Sequence, residues 1–366
     1  AAQEMRARGA NMALAPVVDI ARDPRWGRIE ETYGEDPYLC TEIGKAAVLG
    51  FQGTQLPLAK DKVLVTLKHM TGHGQPESGT NVGPAPISER TLREEFFPPF
   101  ERIVKETNIR SVMPSYNEID GIPSHANRWL LTQVLRNEWG FKGVTVSDYY
   151  AVKEMAGRHH VAANMDDATA LAMNAGVDIE TPEPLAYAES LLRVIASGRV
   201  SEAQVDAAVS RILTLKFEAG LFENPYVDAS AAEGLTCTAP SRALAREAAT
   251  RTVALLKNEK QVLPLNPKTM GKLLVLGTHA KDTPIGGYSE TPKYIVSILD
   301  GLRAEGQAAG FDVAYSEGVR ITEGHEWHDN LVTFTDPAVN AKLIADAVEA
   351  AKAADTIVIV LGDNEQ

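Results

Sequence analysis

Short apolar runs recur through the first half of the chain, at positions 12–18, 63–67, 109–113, 144–147 and 177–179. They are a few residues long and apolar without alternation, the pattern of strands buried on both faces of a parallel sheet. Between them the apolar positions take helical spacing, as over 88–107, 129–138 and 166–174. Strand and helix in alternation predict an α/β fold, either a (β/α)8 barrel or a doubly wound sheet. Only about five such runs precede the change of pattern, fewer strands than a (β/α)8 barrel contains, so a partial barrel is expected. The segment 1–8 reads as the last turns of a helix stopped by Gly9, which predicts that the chain begins mid-fold.

The rhythm breaks after Arg199. A helical run to Gly220 gives way to 221–240, rich in turn residues such as Asn224-Pro225 and poor in periodic apolar positions. That composition predicts a linker. Apolar runs return at 273–276, 313–315 and 356–361, separated by helical patterns such as 342–353. A second α/β unit is therefore expected from about Ser241, reaching Gln366 at the end of a strand, where a βα loop is due. Gly286-Gly287 alone is too weak a signal for a phosphate loop.

At 366 residues the chain has room for two cores. Hydrophobic residues make up 44% of it, yet no apolar run approaches the ~20 residues of a membrane helix, so no membrane is expected as a partner. A net charge of −13 argues against nucleic acid, whose phosphates require a basic patch. Cys40 and Cys237 lie far apart and match neither a disulfide framework nor a zinc pattern. They leave the redox compartment open, with a periplasmic or secreted location favoured over a cytoplasmic one.

Ligands of α/β folds bind at the carboxyl ends of the strands, so the polar residues that finish each apolar run are the candidates for chemistry. The first run leads to Asp19 and then Asp23-Pro24-Arg25-Trp26-Gly27-Arg28, and the second to Lys68-His69. The third leads to Ser115-Tyr116-Asn117, the fourth to Ser147-Asp148-Tyr149, and the fifth to Asp178-Ile179-Glu180. Carboxylates, a Lys-His pair, an arginine and aromatic rings on one face suit a polyhydroxylated ligand, since charged groups grip hydroxyls and rings cover the apolar sugar face. Blander roles stay open: Ser147-Asp148 as a cap for the next helix, Lys68 as a solvated strand end, and His69 as a satisfied buried imidazole. Arg25 is expected to be structural and Arg28 a ligand contact, with Glu30, Glu31, Glu35 and Asp36 as nearby ion-pair partners.

The stretch 16–37 (PVVDIARDPRWGRIEETYGEDP), the Lys68-His69 pair, SYNEIDGIPSHAN from Ser115 and GVTVSDYYAV from Gly143 resemble successive signatures of glycoside hydrolase family 3. KFEAGLFENP and LLKNEKQVLPL, from Leu255, resemble the family's linker and the start of its second, α/β-sandwich domain. The likeness covers nearly the whole chain. It implies a partial (β/α)8 TIM-type barrel over 1–222, a linker over 223–240 and a partial α/β sandwich over 241–366. It further implies a retaining, exo-acting β-glycosidase of the glucosidase/xylosidase branch, with Asp148 as the nucleophile that attacks the anomeric carbon. Arg28, Lys68, His69 and Tyr116 match positions that hold the sugar, and Met113 and Tyr149 complete the expected substrate contacts. The partner is an oligosaccharide or glycoside, no cofactor is expected, and a homodimer is possible.

A retaining glycosidase needs a protonated acid opposite its nucleophile. Relatives acting on N-acetylated amino sugars place a histidine in the loop after the Lys-His pair, whereas this loop offers Glu77-Ser78-Gly79. The acid is therefore expected from the second domain, at Glu365 or just beyond Gln366, with Glu180 as a further carboxylate whose structural role is at least as plausible. Two rivals remain. One is a metal-dependent hydrolase using His69 with His73, His159-His160, or His325 with His328, although Gly72 and Gly74 spoil a helical zinc face. The other is a sugar-binding protein without catalysis.

Overall fold

The computed structural model describes residues 1–289, 292–324 and 331–364. The chain divides into two compact units, Ala1–Thr236 and Cys237–Gln366. Seven strands belong to the first: β1 (Met12–Ala13), β2 (Leu64–Met70), β3 (Ser111–Pro114), the hairpin β4 (Glu118–Ile119) and β5 (Ile122–Pro123), β6 (Val144–Tyr149) and β7 (Ile179–Thr181). Strands β1, β2, β3, β6 and β7 form one parallel sheet in that order. With its covering helices this curled sheet is a partial TIM-type barrel, of the α/β class expected.

Side-chain alternation along the strands separates two layers. Val63 just before β2, Val65 and Leu67 of β2, and Val112 of β3 join the main core beneath the helices, packing with Phe96, Phe97, Phe100, Ile103, Leu131 and Val134. The opposite parity, Leu64 and Val144, forms a separate inner cluster with Leu215 and Ala219. The latter two end the helix Glu202–Glu218. That helix is held by Arg110, which pairs with Glu218 at 2.8 Å, and by Arg211, which pairs with Asp178 at 2.6 Å.

The helices carry the expected start and stop residues. Asp36 caps Pro37–Gln52 by accepting from Leu39, with Pro37 at the first turn and Gly53 ending it at φ 78°. Asn164 caps Met165–Ala175, and Gly176 closes it in the left-handed region at φ 110°. The helix expected over 88–107 is interrupted. Pro98 and Pro99 crowd the carbonyls of the preceding turn, and over Leu92–Phe96 the turn widens to a π geometry in which Phe97 donates to Leu92. Asp120 and Gly121, both at positive φ, make the two-residue loop of the β4–β5 hairpin. This is a hairpin signal that the apolar pattern had passed over.

The fifth strand is displaced from its expected position. It runs over 179–181 rather than 177–179, so Asp178 stands before the strand instead of finishing it. Its carboxylate accepts from Arg136 (2.7 Å), Arg211 (2.6 Å) and the Thr145 N–H (2.9 Å). Asp178 is thus removed from the set of strand-end candidates.

In the second unit β8 (Leu273–Leu276), β9 (Val313–Ser316) and β10 (Thr356–Ile359) form a parallel sheet in the order β10-β8-β9. The helices Ile298–Ala309 and Pro337–Ala351 cross over between them. Met270, Leu273, Val275, Ala280 and Leu299 make the core.

The Asp178 side chain is 1% exposed between two guanidinium groups. Asp178→Ala would leave those two cations facing each other, with a predicted loss of about 3 kcal/mol. The urea-unfolding midpoint checks this; a loss below about 1 kcal/mol would mean that the pair of arginines is solvated rather than buried.

Candidate active site

Period-two alternation puts every second residue of a strand on one face, so adjacent residues do not normally reach the same site. Two register shifts change that. Leu67 pairs with Val112 but Met70 with Pro114, so β2 carries one extra residue at Lys68-His69. Val146 pairs with Ile179 but Tyr149 with Thr181, so β6 carries one at Ser147-Asp148. Each bulge re-aims the side chains at the carboxyl end of its strand. Lys68 and His69 therefore lie within β2 rather than after it.

Asp148 is 5% exposed. Its Oδ1 accepts the Tyr149 N–H at 2.8 Å, and its Oδ2, without a hydrogen bond, stands 3.4 Å from His69 Nε2. The capping role left open by the sequence does not apply, because the following helix Ala151–Gly157 has Tyr150 at its N-cap and no side-chain cap bond. Burial pushes the Asp148 carboxyl above its usual range, and Arg28, the Tyr149 N–H, Lys68 and the Tyr116 hydroxyl work against that rise.

Arg28 ties the cluster together. Its Nε and Nη2 form a two-pronged pair with Glu31 at 2.7 and 2.9 Å, while Nη1 reaches His73 Nε2 at 3.0 Å and Nη2 reaches His69 Nε2 at 3.2 Å. A guanidinium only donates, so both imidazoles accept through Nε2 and carry their proton on Nδ1. For His69 that nitrogen lies 2.7 Å from Asp19 Oδ2, which also accepts the backbone N–H of His69 at 3.2 Å. Burial pushes Asp19 up to about 8, against the pull of that N–H and of Arg28. Burial and then Arg28 push His69 well down. The Asp19–His69 pair thus shares one proton. His73, held neutral by burial and Arg28, packs edge-on to Trp26 at 4.9 Å. Burial lowers the Lys68 ammonium, and the charges of Asp148 and Glu31 oppose that shift.

Tyr116 donates its hydroxyl to the Tyr149 carbonyl at 2.8 Å. Met113 is buried in β3, one residue past Val112 and outside the main helix-facing core. The Tyr149 side chain is 37% exposed. Arg25 is an exposed partner of Asp23 at 2.7 Å, the structural role expected of it. Glu180 is committed elsewhere, because its carboxylate accepts the Ala186 and Tyr187 N–H groups at 2.8 Å. Glu365, the other candidate acid, lies outside the described residues, as do His325 and His328. His69 and His73 both face the Arg28 guanidinium, a cation where the metal reading would need its ion.

Of the carboxylates expected as ion-pair partners near Arg28, it is Glu31 that pairs with it; sequence reasoning missed His73 and His125 as elements of the cluster. His125 Nε2 accepts the Asp148 N–H at 3.0 Å, and burial lowers its pKa to about 3. The signals were the quoted motif around His125 and the His69–His73 spacing, which had been weighed for a metal alone. In the second unit a cavity of about 590 Å³ opens beyond the strand ends, lined among others by His279, Tyr315, Arg320 and Asn364.

The family model described as "Glycosyl hydrolase family 3 N terminal domain" matches residues 1–215, and "Glycosyl hydrolase family 3 C-terminal domain" matches 253–366. A β-xylosidase of Formosa agariphila is 35% identical over 383 aligned positions, covering 100% of this chain and 50% of the relative. A periplasmic β-glucosidase of Salmonella typhimurium is 35% identical, covering 98% and 48%. Among solved structures, a β-glucosidase from Erythrobacter marinus matches at TM-score 0.94 and 39% identity, covering 100% of this chain and 49% of that one. The chain spans about half the length of the curated relatives it matches.

His73 and His125 are held neutral when folded, below their ordinary 6.5, and regain protons below that pH when unfolded. Unfolding between pH 6.5 and 5 should therefore take up protons. Stability should fall with falling pH by up to about 2.7 kcal/mol per unit for two groups. The Asp19–His69 pair binds one proton in either state near pH 5 and cancels, whereas the raised Asp148 works in the opposite sense. Urea midpoints at pH 6.5, 5.8 and 5 test this, and His73→Gln should flatten the slope by about one proton. A midpoint independent of pH across this window would contradict the neutral histidines.

Proposed function

The chain belongs to glycosyl hydrolase family 3, and from that premise we propose that the complete protein is a retaining, exo-acting β-glycosidase. It removes terminal β-D-glucosyl or β-D-xylosyl residues through a covalent glycosyl intermediate on Asp148. The names of its relatives, β-xylosidase and β-glucosidase, support the substrate class. One observation carries the reading: Asp148 is a buried carboxylate with an oxygen left open at the carboxyl end of a barrel strand, amid Arg28, Lys68 and a neutral His69.

In the first step Asp148 Oδ2 bonds to the anomeric carbon as the bond from that carbon to the aglycone oxygen breaks. The aglycone oxygen takes a proton from a general acid. Water, deprotonated by the same acid's conjugate base, then attacks the anomeric carbon and releases Asp148. Arg28 and Lys68 favour the ionised form of Asp148 and oppose the rise that burial imposes on it. Arg28 and Lys68, with His69 and Tyr116, bind sugar hydroxyls; Met113 and Tyr149 line the same subsite. We assign the general acid to the segment after β10, where Asn364 lines the cavity of the second unit and Glu365 follows it. The catalytic barrel is assigned to 1–222, the linker to 223–240 and the sandwich domain to 241–366.

Asp148→Ala in the complete protein should lower kcat on an aryl β-glucoside by about 10³-fold or more. Azide, a small anion able to fill the vacated space, should restore part of the rate and give a glycosyl azide of α configuration. Retention of more than about a tenth of the wild-type kcat would end the assignment.

Stereochemistry offers an independent check. Proton NMR of the first sugar released by the unsubstituted protein should show the β anomer, because two displacements at one carbon restore its configuration. The α anomer as first product would exclude the covalent route.

A further inference from the structure

The bulge in β6 takes the Asp148 peptide out of the regular ladder. A buried N–H released in this way needs another acceptor. It finds one in an imidazole: His125 Nε2 lies 3.0 Å from the Asp148 nitrogen. His125 is 2% exposed on the short turn Ser124–Ala126. Its other ring nitrogen is bonded to the Ser115 carbonyl, which fixes the tautomer. The turn is tied in its own right, since Ser124 Oγ donates to the Asn117 carbonyl at 2.9 Å and meets Ser115 Oγ at 2.9 Å. From the same segment Tyr116 donates to the Tyr149 carbonyl at 2.8 Å. One loop thus fixes the backbone on both sides of the Asp148-Tyr149 pair.

We propose that His125 is a positioning residue for Asp148, whose N–H it accepts so that the carboxylate oxygen is aimed at the anomeric carbon. The inference rests on Asp148 being the nucleophile. Only a neutral imidazole has the lone pair this requires, and His125 has no carboxylate hydrogen-bonded to it that would favour a charge. Neither of its nitrogens is left to touch a sugar, so its effect passes through Asp148. A shift of the carboxylate by about 1 Å would slow the displacement roughly a hundredfold while leaving sugar binding intact.

The test is the rate at which the complete protein is trapped by 2,4-dinitrophenyl 2-deoxy-2-fluoro-β-D-glucoside. The Asp148 oxygen bonds to the anomeric carbon and dinitrophenolate departs with the electron pair of the broken bond. This leaving group needs little acid assistance, and the fluorine slows attack by water, so the adduct accumulates. In the unsubstituted protein, peptide mass spectrometry should locate the adduct on Asp148. His125→Phe should be labelled about a hundredfold more slowly, with kcat on an aryl glucoside reduced in parallel and KM within about threefold. His125→Gln, which keeps an acceptor, should be labelled within about fivefold of the unsubstituted rate. Labelling of Asp148 in the unsubstituted protein together with an unslowed His125→Phe would overturn this inference alone. No label on Asp148 would overturn the nucleophile assignment and this inference with it. If His125→Phe and His125→Leu both fail to fold, His125→Gln decides: labelling within about fivefold of the unsubstituted rate supports the inference, and labelling slowed about a hundredfold or more although an acceptor is present overturns it.

Discussion

Burying an ionised carboxylate is costly unless opposite charge and hydrogen bonds replace the lost water, and the candidate site is organised around meeting that cost for Asp148. Arg28 contributes most against the burial, but a buried guanidinium has the same requirement itself. Glu31 satisfies one of its edges with two hydrogen bonds, and His69 and His73 take the other. The histidines serve because they are neutral acceptors: they bond Arg28 without neutralising it, so its charge remains available to Asp148. A second carboxylate in either place would add to the offset that Glu31 already makes to the Arg28 charge.

Geometry enters through the two bulges. A regular β2 would aim Lys68 and His69 to opposite faces, and a regular β6 would keep the Asp148 N–H in its ladder. One extra residue in each strand lets a cation and an imidazole approach the carboxylate from neighbouring positions. It also frees a backbone group, which the loop after β3 then satisfies. The segment 115–127 is thus less a connection than a second wall of the site, held by serine hydroxyls and backbone carbonyls as well as by Ile119 in the main core.

The strands were legible because a buried parallel strand is apolar on both faces, and the five runs of the first unit all pair as one sheet. What the pattern could not fix was their ends. Asp178 and Glu180 both read as strand-end carboxylates, and a shift of two residues in the strand sends Asp178 to Arg136 and Arg211 and leaves Glu180 holding a loop. Lys68 and His69 were picked out for standing after an apolar run, a sound reason that concealed the bulge. Periodicity gave no role to His125, and the spacing of His73 from His69 suggested a metal rather than a shared arginine. Their roles depend on which nitrogen meets which partner, and that is settled by residues about 23 and 45 positions away.

Two buried aspartates of the first unit have their oxygens satisfied differently. Asp178 has both oxygens taken, by two guanidinium groups and a backbone N–H, which is what stability alone would select. Asp148 is equally enclosed, yet one oxygen accepts no hydrogen bond, with cations near enough to lower its pKa. A buried acceptor left in this state costs about 1–3 kcal/mol. Glu31, His69 and His73 engage the Arg28 guanidinium with hydrogen bonds, and its charge still acts on Asp148. An oxygen without a hydrogen bond from the protein, on a carboxyl whose burial-driven rise is opposed by Arg28 and Lys68, is what the proposed attack on a carbon centre requires.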